Sequence, residues 1–262
     1  MEKLIFQNRK GLNIVGNLTK PMGNTKGTCV LQHGWSGKKE QEHIVAIQEA
    51  FIDNGWQVFN FDATNSFNES DGIFDDSRLG LHYEDMEDVC QWAQKQDWFI
   101  EPLAVSGHSM GGYAAVRYAE DHPREVSLIA PIAPVISGKL TTESKELYEP
   151  GTIKRWKDEG FLISESSTTP GLVKRAPYAV HEEWLKHDLL PNARKLTMPV
   201  FLLTGTEDTS CPPNHVQKLF DAISHQDKVF KTIDGAPHTY RSGHDLKVLK
   251  ETLSYWLERQ AM

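Results

Sequence analysis

A serine flanked by glycines stands at the end of an apolar run in the middle of the chain. Residues 103–114 are LAVSGHSMGGYA, and Ser109 is the centre of a G-x-S-x-G pattern. Such a turn joins a buried strand to a helix and raises the middle side chain above the sheet. The hydroxyl then lies at a helix N-terminus, where free N–H groups favour developing negative charge. This position suits a nucleophile, although a plain Gly/Ser turn also produces five-residue matches by chance.

A serine hydroxyl reacts only when a base takes its proton and a carboxylate orients that base. The stretch FLLTGTEDTSCPP puts Asp208 in the loop after a strong strand, and KTIDGAPHTY puts His238 in the loop after the last strand. Both loops belong to the carboxyl edge of the sheet, which also carries Ser109. The order serine, aspartate, histidine predicts that His238 accepts the serine proton and that Asp208 orients the imidazole.

Neighbouring residues compete for these two roles. Glu207 precedes Asp208, but the distance from the strand and the following proline pair favour Asp208. His225 lies between a helix and a strand, at the opposite edge, and His244 is expected at the start of the terminal helix. A single loop histidine is most often a solvated surface residue. Three residue types in the right order after the right strands favour His238.

A tetrahedral intermediate needs N–H donors for its oxyanion. One donor is the N–H of the residue after the nucleophile, here Met110, and the other comes from the loop after an early strand. The stretch LQHGWSG is that loop, and we assign the second N–H to Trp35, with His33 and Gly34 shaping the backbone. A well-aimed donor stabilises the transition state by roughly 3 kcal/mol. His33 is interpreted as structural. The Trp35 ring either lines an acyl pocket or is simply buried.

The elements that hold these residues alternate between short apolar strands and helices. Two strands flank Arg9-Lys10-Gly11 as an antiparallel hairpin, and unalternating apolar runs separated by helices then indicate a parallel sheet buried on both faces. The sequence therefore predicts an α/β fold with a mostly parallel central sheet, an antiparallel N-terminal hairpin and helices on both faces. Helices are predicted near 40–54, 82–96, 110–121, 214–224 and 244–260.

The alternation stops between residues 137 and 193, where the chain is charged and interrupted by prolines and has no strong strand. Long structureless loops are uncommon in compact domains, so we expect a helical cap insertion in a core formed by 1–136 and 194–262. Its aromatic residues either line an apolar pocket or form the small core of the cap. The candidate substrate-binding residues are Trp35, His108, Trp156, Phe161, Tyr178 and Trp184, with Lys154 and Arg155 as polar selectors.

Composition and charge limit the classes of molecule that the protein is expected to bind. The 262 residues carry a formal charge of −8 without a Lys/Arg cluster, which argues against nucleic acid and anionic lipid and favours a small-molecule ester substrate. The start resembles no signal peptide and no apolar run is long enough to span a membrane, so we expect a cytoplasmic protein. The oligomeric state stays open, with a homodimer as one option.

No metal or organic cofactor is expected. The three cysteines, Cys29, Cys90 and Cys211, form neither CxxC pairs nor a zinc spacing and are interpreted as free thiols. A second group of candidate ligands, the carboxylates Asp85, Glu87 and Asp88, follows a helical pattern without His or Cys partners. We interpret these carboxylates as a solvated helix face rather than a metal site.

Four motifs together resemble the α/β-hydrolase superfamily over essentially the whole chain: HGWSG, GHSMGG, GTEDTSCPP and DGAPHTY. Within it, the chain is most similar to small bacterial carboxylesterases, including feruloyl and cinnamoyl esterases, and to monoacylglycerol-lipase-like and serine-aminopeptidase-like members. The resemblance implies that the insertion caps the serine.

The chain departs from that resemblance at two places. Many relatives have a D-x-x-G-x-G-x-S turn after the fourth strand, whereas this chain has FDATNSFNESDG; we expect Asn65, Ser66 and Asn68 to form the turn through their side chains. Cinnamoyl esterases often have Gln where this chain has Met110, which weakens an assignment to aromatic acyl esters.

The expected function is cleavage of carboxylic esters of small to medium acyl groups through an acyl-enzyme. Amide, peptide, thioester and carbon–carbon bond hydrolysis use the same three residues and stay open. Dehalogenation and epoxide hydrolysis are disfavoured because those chemistries use an aspartate where Ser109 stands. A non-catalytic ligand-binding protein of the same fold is the alternative from another class.

Overall fold

The computed structural model describes residues 1–166 and 171–260 and contains one eight-stranded sheet. The strands lie in the order β1-β2-β4-β3-β5-β6-β9-β10. Their bounds are β1 Glu2–Gln7, β2 Asn13–Thr19, β3 Gly27–Gln32, β4 Trp56–Phe61, β5 Leu103–His108, β6 Val126–Ile132, β9 Val200–Gly205 and β10 Lys228–Ile233. The helices that cover this sheet are α1 Glu42–Asp53, α2 Leu79–Ala93, α3 Met110–Asp121, α7 Pro213–Ala222 and α8 Gly243–Glu258.

The directions of the strands match the predicted fold. β1 and β2 form an antiparallel hairpin, and Gly11 in its turn has a φ of 76°. The pairs β3/β4, β3/β5, β5/β6, β6/β9 and β9/β10 are all parallel, because a helix or a longer segment carries the chain back between them. The predicted α/β class, with its mostly parallel sheet and antiparallel N-terminal strands, is confirmed.

A hydrophobic core lies on each face of the sheet. α1 and α8 pack together on one face, where Phe51, Trp56 and Leu253 are buried. α2, α3 and α7 contribute to the core on the other face. All three cysteines are buried and free, Cys29 in the first core and Cys90 in the second. No helix in the described ranges is both long and apolar enough to cross a membrane.

The segment between β6 and β9 contains helices and a strand pair. Its elements are α4 Gly138–Tyr148, α5 Thr152–Glu159, β7 Phe161–Glu165, β8 Val173–Pro177, α6 Tyr178–Trp184 and a short 3-10 helix at Leu190–Lys195. β7 and β8 form a separate antiparallel sheet, which the sequence analysis did not anticipate. Ser137 caps α4 by accepting a hydrogen bond from the Leu140 N–H at 3.2 Å. The segment 137–193, called the insertion below, therefore contains a two-stranded ribbon besides its helices.

The interpretation of Asp85 as part of a solvated helix face is wrong. Asp85 is buried in α2, and its carboxylate accepts hydrogen bonds from the N–H and hydroxyl of Thr64 at 2.7 and 2.8 Å. The Asn8 amide donates a third bond at 3.1 Å. Burial raises the pKa of Asp85 to about 6 despite these donors. Asp85 thus fastens the loop after β4 to α2.

Candidate active site

The turn between β5 and α3 is a strained elbow. Ser109 has a φ of 58° and a ψ of −115°, a conformation that L-residues rarely adopt. The glycines on either side are required by close packing: a Cβ on Gly111 would lie 2.2 Å from the Gln32 carbonyl oxygen, and one on Gly107 would lie 2.4 Å from the Gly111 carbonyl. The elbow therefore exists only with glycines at these two positions.

Ser109, His238 and Asp208 form a continuous hydrogen-bonded row. The Ser109 Oγ lies 3.0 Å from His238 Nε2, and His238 Nδ1 lies 2.7 Å from Asp208 Oδ2. The three residues come from the loops that follow β5, β9 and β10, whose carboxyl ends share one edge of the sheet. The topology thus brings together side chains that lie up to 129 residues apart along the chain.

The Asp208 carboxylate is buried and fully engaged. Its Oδ1 accepts the N–H groups of Ser210 and Cys211 at 2.8 and 2.7 Å, and the Thr204 hydroxyl lies 3.2 Å from Oδ2. Burial alone raises the pKa of Asp208, but His238 and the two N–H donors outweigh it and hold that pKa below its ordinary value. Asp208 is therefore ionised at neutral pH and able to orient His238.

The competing residues lie elsewhere. Glu207 is exposed, and no hydrogen bond within the described chain joins it to His238. His244 is exposed in the first turn of α8, and His225 follows α7 at the other edge of the sheet. The structure brings Ser109, His238 and Asp208 together and leaves these three residues apart from them.

Two further histidines pack behind His238. His108 Nε2 lies 2.8 Å from the His238 carbonyl oxygen, and the His43 ring centroid is 4.4 Å from that of His108. Burial lowers the pKa of His43 to about 3 and that of His108 well below its ordinary value. Both rings are therefore neutral supports. His43 was not predicted as a site residue from the sequence, although its place on α1, which follows the Trp35 loop, brings it close to the site.

Two backbone N–H groups beside Ser109 are unused. Those of Met110, the first residue of α3, and of Trp35 donate to no acceptor within residues 1–166 and 171–260. Both residues line the same cavity as Ser109. Gly34 allows this approach, since a Cβ there would lie 2.8 Å from Ser109 Cβ. The arrangement offers two donors to an oxyanion.

His33 holds the Trp35 loop in place. Its Nδ1 lies 2.7 Å from the Gly34 carbonyl oxygen, and its Nε2 accepts the Ala63 N–H at 3.0 Å. Burial lowers the pKa of His33, although nearby charges partly oppose this shift. These contacts fit a neutral ring that carries its proton on Nδ1. His33 therefore has the surroundings of a structural residue.

Comparison with known proteins assigns the chain to a family. A model of the prolyl oligopeptidase family matches residues 80–262, well over half of the chain. The chain belongs to the prolyl oligopeptidase family. The predicted α/β-hydrolase superfamily is confirmed, and the chain is an α/β hydrolase.

Individual relatives of this prolyl oligopeptidase family member are distant. It is 23% identical to the monoacylglycerol lipase of Mycolicibacterium smegmatis, over 94% of this chain and 93% of the lipase. It is 23% identical to the mitochondrial palmitoyl-protein thioesterase of Bos taurus, over 86% of this chain and 71% of that relative. Its fold is similar to that of Est1E from Butyrivibrio proteoclasticus with bound ferulic acid: the TM-score is 0.80, at 20% identity and 98% coverage of both chains.

In this prolyl oligopeptidase family member, Ser109 opens into a cavity of about 530 Å³. Of the predicted substrate-binding residues, Trp35, His108 and Trp184 line that cavity. The other three face elsewhere and do not line it: Trp156, Phe161 and Tyr178. Arg155 lines it, whereas Lys154 is exposed and forms an ion pair with Asp158.

Packing explains why Trp156 lies outside the cavity. Its ring is fully buried against Tyr178, His181 and Trp184, and its indole N–H donates to the Ala176 carbonyl at 2.8 Å. Phe161 is covered instead by the Arg175 guanidinium, which lies 3.3 Å from the ring centroid. In this family member Trp156, Tyr178 and Trp184 of the insertion therefore pack together as part of the hydrophobic core that also covers one face of the sheet.

The loop after β4 is held by side chains rather than by glycines. Asn65 has a φ of 59°, and its Oδ1 accepts the Ile73 N–H at 3.1 Å. The Asn68 amide donates to Asp62 at 2.8 Å. These contacts agree with the expected turn, but the Ser66 hydroxyl is buried without a partner among the described residues.

Three carboxylates near that loop come close enough to hold a metal ion: Glu40, Asp62 and Glu69. A lysine already occupies their centre. The buried Lys39 ammonium lies 2.6 Å from Asp62, 2.5 Å from Glu69 and 2.9 Å from Glu40. The cluster is therefore an ion-pair network in which the buried Lys39 joins the buried Asp62 to the exposed Glu40 and Glu69, and it secures the loop. It was not singled out from the sequence.

Proposed function

We propose that this chain is a serine hydrolase that cleaves carboxylic esters through an acyl-enzyme. The observation that carries the proposal is the hydrogen-bonded row from the Ser109 Oγ through His238 to Asp208, beside the cavity. A row of this kind activates a hydroxyl, since the base is within reach of the proton and is itself oriented by a carboxylate.

In the proposed reaction, Ser109 attacks the ester carbonyl while His238 takes the hydroxyl proton. The unused N–H groups of Met110 and Trp35 hold the oxyanion, and the positive end of α3 adds to their effect. His238 then protonates the leaving alcohol, and Asp208 stabilises the imidazolium. A water molecule attacks the acyl group in the second half of the cycle, with His238 again as the base.

The insertion is proposed to be a cap over this site, with the boundaries 137–193. α4 and the β7–β8 ribbon contribute Ser144, Leu162, Ile163 and Lys174 to the cavity lining, so a substrate contacts the insertion. The cavity volume fits small to medium acyl groups. A lipase and a thioesterase among the relatives, and the ferulic acid held by Est1E, are consistent with acyl substrates.

Intact-protein mass spectrometry after exposure to a fluorophosphonate tests the proposal. We expect one adduct on the wild type and none on Ser109→Ala, together with hydrolysis of at least one of four esters: p-nitrophenyl acetate, butyrate, octanoate and methyl ferulate. An unlabelled wild type that turns over no ester contradicts the proposal and favours a ligand-binding protein of the same fold.

Amide hydrolysis is a second candidate, which the family match favours because the family is named for an oligopeptidase. The same row of residues protonates a leaving amine. Comparison of kcat/KM for p-nitroanilide peptides and p-nitrophenyl esters separates the two candidates. Faster cleavage of a peptide than of every ester would replace esterase by peptidase, whereas detectable turnover of esters alone would exclude the peptidase.

A further inference from the structure

Seven acidic or basic side chains of the described chain, apart from histidines, line the cavity, and two differ from the rest in burial. Lys145 and Lys174 are half-buried. The other five are exposed: Glu149, Arg155, Glu165, Glu207 and Arg241. Exposed charges are strongly screened by water and salt, whereas half-buried charges are screened much less. The two lysines therefore dominate the charge of the inner cavity.

Lys174 and its neighbour Arg175 have different surroundings because successive side chains of β8 point to opposite faces. Arg175 forms an ion pair with Asp75 at 2.6 Å. Lys174 lines the cavity, where its ammonium lies 5.8 Å from the centroid of the Trp35 ring. No carboxylate within the described ranges pairs with it. Arg175, on the outer face of the ribbon, is thus paired with a carboxylate, whereas Lys174, on the inner face, is not.

Lys145 repeats this contrast on α4. The exposed Lys139 on the same helix lies 4.0 Å from Glu143, whereas Lys145 forms no ion pair with any described carboxylate. The remaining residues of the β7–β8 connection, 167–170, are Ser-Thr-Thr-Pro and include no acidic side chain. Burial lowers the pKa of Lys174, and repulsion from Lys145 lowers it further. Two like charges therefore share the inner cavity.

We propose that the cavity takes esters that carry a second, anionic group, a carboxylate or a phosphate, which Lys174 and Lys145 bind. An anion bound between the lysines offsets the free-energy cost of burying their charges and reduces the repulsion between them. The Trp35 ring beneath Lys174 belongs to the residue whose N–H is assigned to the oxyanion, so the anionic group lies on the cap side of the scissile carbonyl. The inference rests on the proposed hydrolase function and names its substrate class.

Paired substrates test the charge preference. Monomethyl adipate and methyl hexanoate differ in the terminal carboxylate, and pH-stat titration gives kcat/KM for each. We expect the ratio of the anionic to the neutral ester to fall about tenfold in Lys174→Met and further in the double variant with Lys145→Met. Lys139→Met, which removes a paired and exposed lysine, is the control and retains the wild-type ratio.

A second pair distinguishes the source of the anion. 1-Butyrylglycerol 3-phosphate and 1-butyrylglycerol place the charge in the alcohol rather than in the acyl chain. If Lys174→Met lowers the ratio of kcat/KM for the anionic to the neutral ester only in this pair, the bound anion belongs to the alcohol. If the ratio falls only in the adipate pair, the anion belongs to the acyl chain. Ratios that equal the wild-type value in both pairs overturn the inference.

Labelling of Ser109 separates this inference from the proposed function. We expect adipate to slow fluorophosphonate labelling of the wild type and to need about tenfold higher concentrations with Lys174→Met. Normal labelling without protection by adipate, together with unchanged ratios, contradicts the charge preference and leaves the hydrolase standing. A wild type that takes no label and turns over no ester contradicts the proposed function, and this inference falls with it.

Discussion

Asp208 differs from its neighbour Glu207 by its hydrogen bonds, although both are acids of one loop. Asp208 is buried against His238 and two N–H groups, whereas Glu207 is exposed. We predict that Asp208→Asn lowers kcat roughly 10⁴-fold, because an amide favours the wrong tautomer of the histidine. Steady-state hydrolysis of p-nitrophenyl butyrate measures the loss. Glu207→Gln is the matched control, with an expected loss below threefold; equal losses in both variants would refute this assignment.

Glu120 in α3 is a buried acid that the proposed reaction does not use. Both of its carboxylate oxygens lack a hydrogen-bond partner among the described residues, and Arg117 lies 3.7 Å away. Burial raises the pKa of Glu120 from 4.5 to about 8, with Arg117 opposing the shift and Asp121 adding to it. Between pH 4.5 and about 8, Glu120 is therefore protonated in the folded protein and ionised in the unfolded chain.

The free energy of unfolding is consequently expected to fall as the pH rises from about 4.5 to 8, since the folded state binds more protons in that interval. We predict that Glu120→Gln removes the part of this slope that Glu120 contributes. Between pH 4 and pH 9 the variant should gain of order 4 kcal/mol of unfolding free energy relative to the wild type. Urea unfolding across this range measures the difference. Asp85 contributes equally to both proteins. Parallel stability curves for the two proteins would contradict the prediction.

The sequence predicted where the functional side chains lie along the fold better than it predicted what surrounds each of them. Ser109, Asp208 and His238 could be found because each follows a recognisable strand, and parallel topology sends all three to one edge. Lys174 could not be singled out because a lysine in a charged segment is normally solvated. Trp156 and Trp184 are both buried, and periodicity cannot tell which of them also faces a cavity.

At the scale of elements, α2 begins with a cap supplied by the insertion. Its N-cap residue, Arg78, makes no side-chain cap, and the Glu183 carboxylate of α6 accepts the N–H groups of Leu79 and Gly80 at 3.0 and 2.9 Å. Glu183 also contacts His187, whose other ring nitrogen lies 2.9 Å from the Tyr113 hydroxyl. One carboxylate thus joins the insertion to two helices of the core.

We predict that Glu183→Ala lowers the free energy of unfolding by about 1–2 kcal/mol, because the two N–H groups lose their acceptor. Burial alone raises the pKa of Glu183, but His187 and these donors hold it below its ordinary value. The loss is therefore present above pH 4.5 and disappears as the pH falls through the lower folded pKa. Chemical denaturation measures it, with the exposed neighbour Glu182→Ala as control; equal effects of both variants would refute the cap.

The β7–β8 ribbon was the element that the sequence did not predict. Each strand has five residues and pairs only with the other, outside the main sheet. The more buried face of the ribbon carries Ser164 and Lys174, whereas Ile163 and Val173 are exposed on the other face, so polar and apolar residues do not alternate in the way by which half-buried strands are recognised. The inner strands β3, β4, β5, β6 and β9 of the main sheet are almost entirely buried on both faces and were predicted from their continuous apolar runs.

At the scale of the whole molecule, the insertion shares a hydrophobic core with the sheet. Trp156, Val180 and Trp184 belong to the same buried cluster as Val105 of β5 and Tyr113 of α3. A segment that shares its core with the sheet is expected to unfold together with it, because neither part retains its buried surface alone. The insertion is therefore expected to behave as part of one cooperative unit.

We predict that Trp156→Ala lowers the free energy of unfolding of the entire protein by about 3–5 kcal/mol, in a single transition. Circular dichroism and tryptophan fluorescence recorded on the same urea titration test this, and their midpoints are expected to coincide. Leu147→Ala removes an exposed apolar side chain from the same insertion and is expected to change stability by less than about 0.5 kcal/mol. Two separate transitions would show that the insertion unfolds independently.

Trp35 connects the proposed reacting centre at Ser109 to the insertion, which is proposed to contact substrates. Its ring packs against Trp184 of the insertion and Phe74 of the loop after β4, and its N–H faces the cavity side of Ser109 in the proposed reaction. Laboratory evolution toward bulkier substrates would begin by trimming Trp184. That change also removes a packing partner of Trp35, the residue whose N–H is proposed to hold the oxyanion. A broader substrate range would therefore conflict with high turnover, and adapted variants should acquire compensating bulk at Phe74.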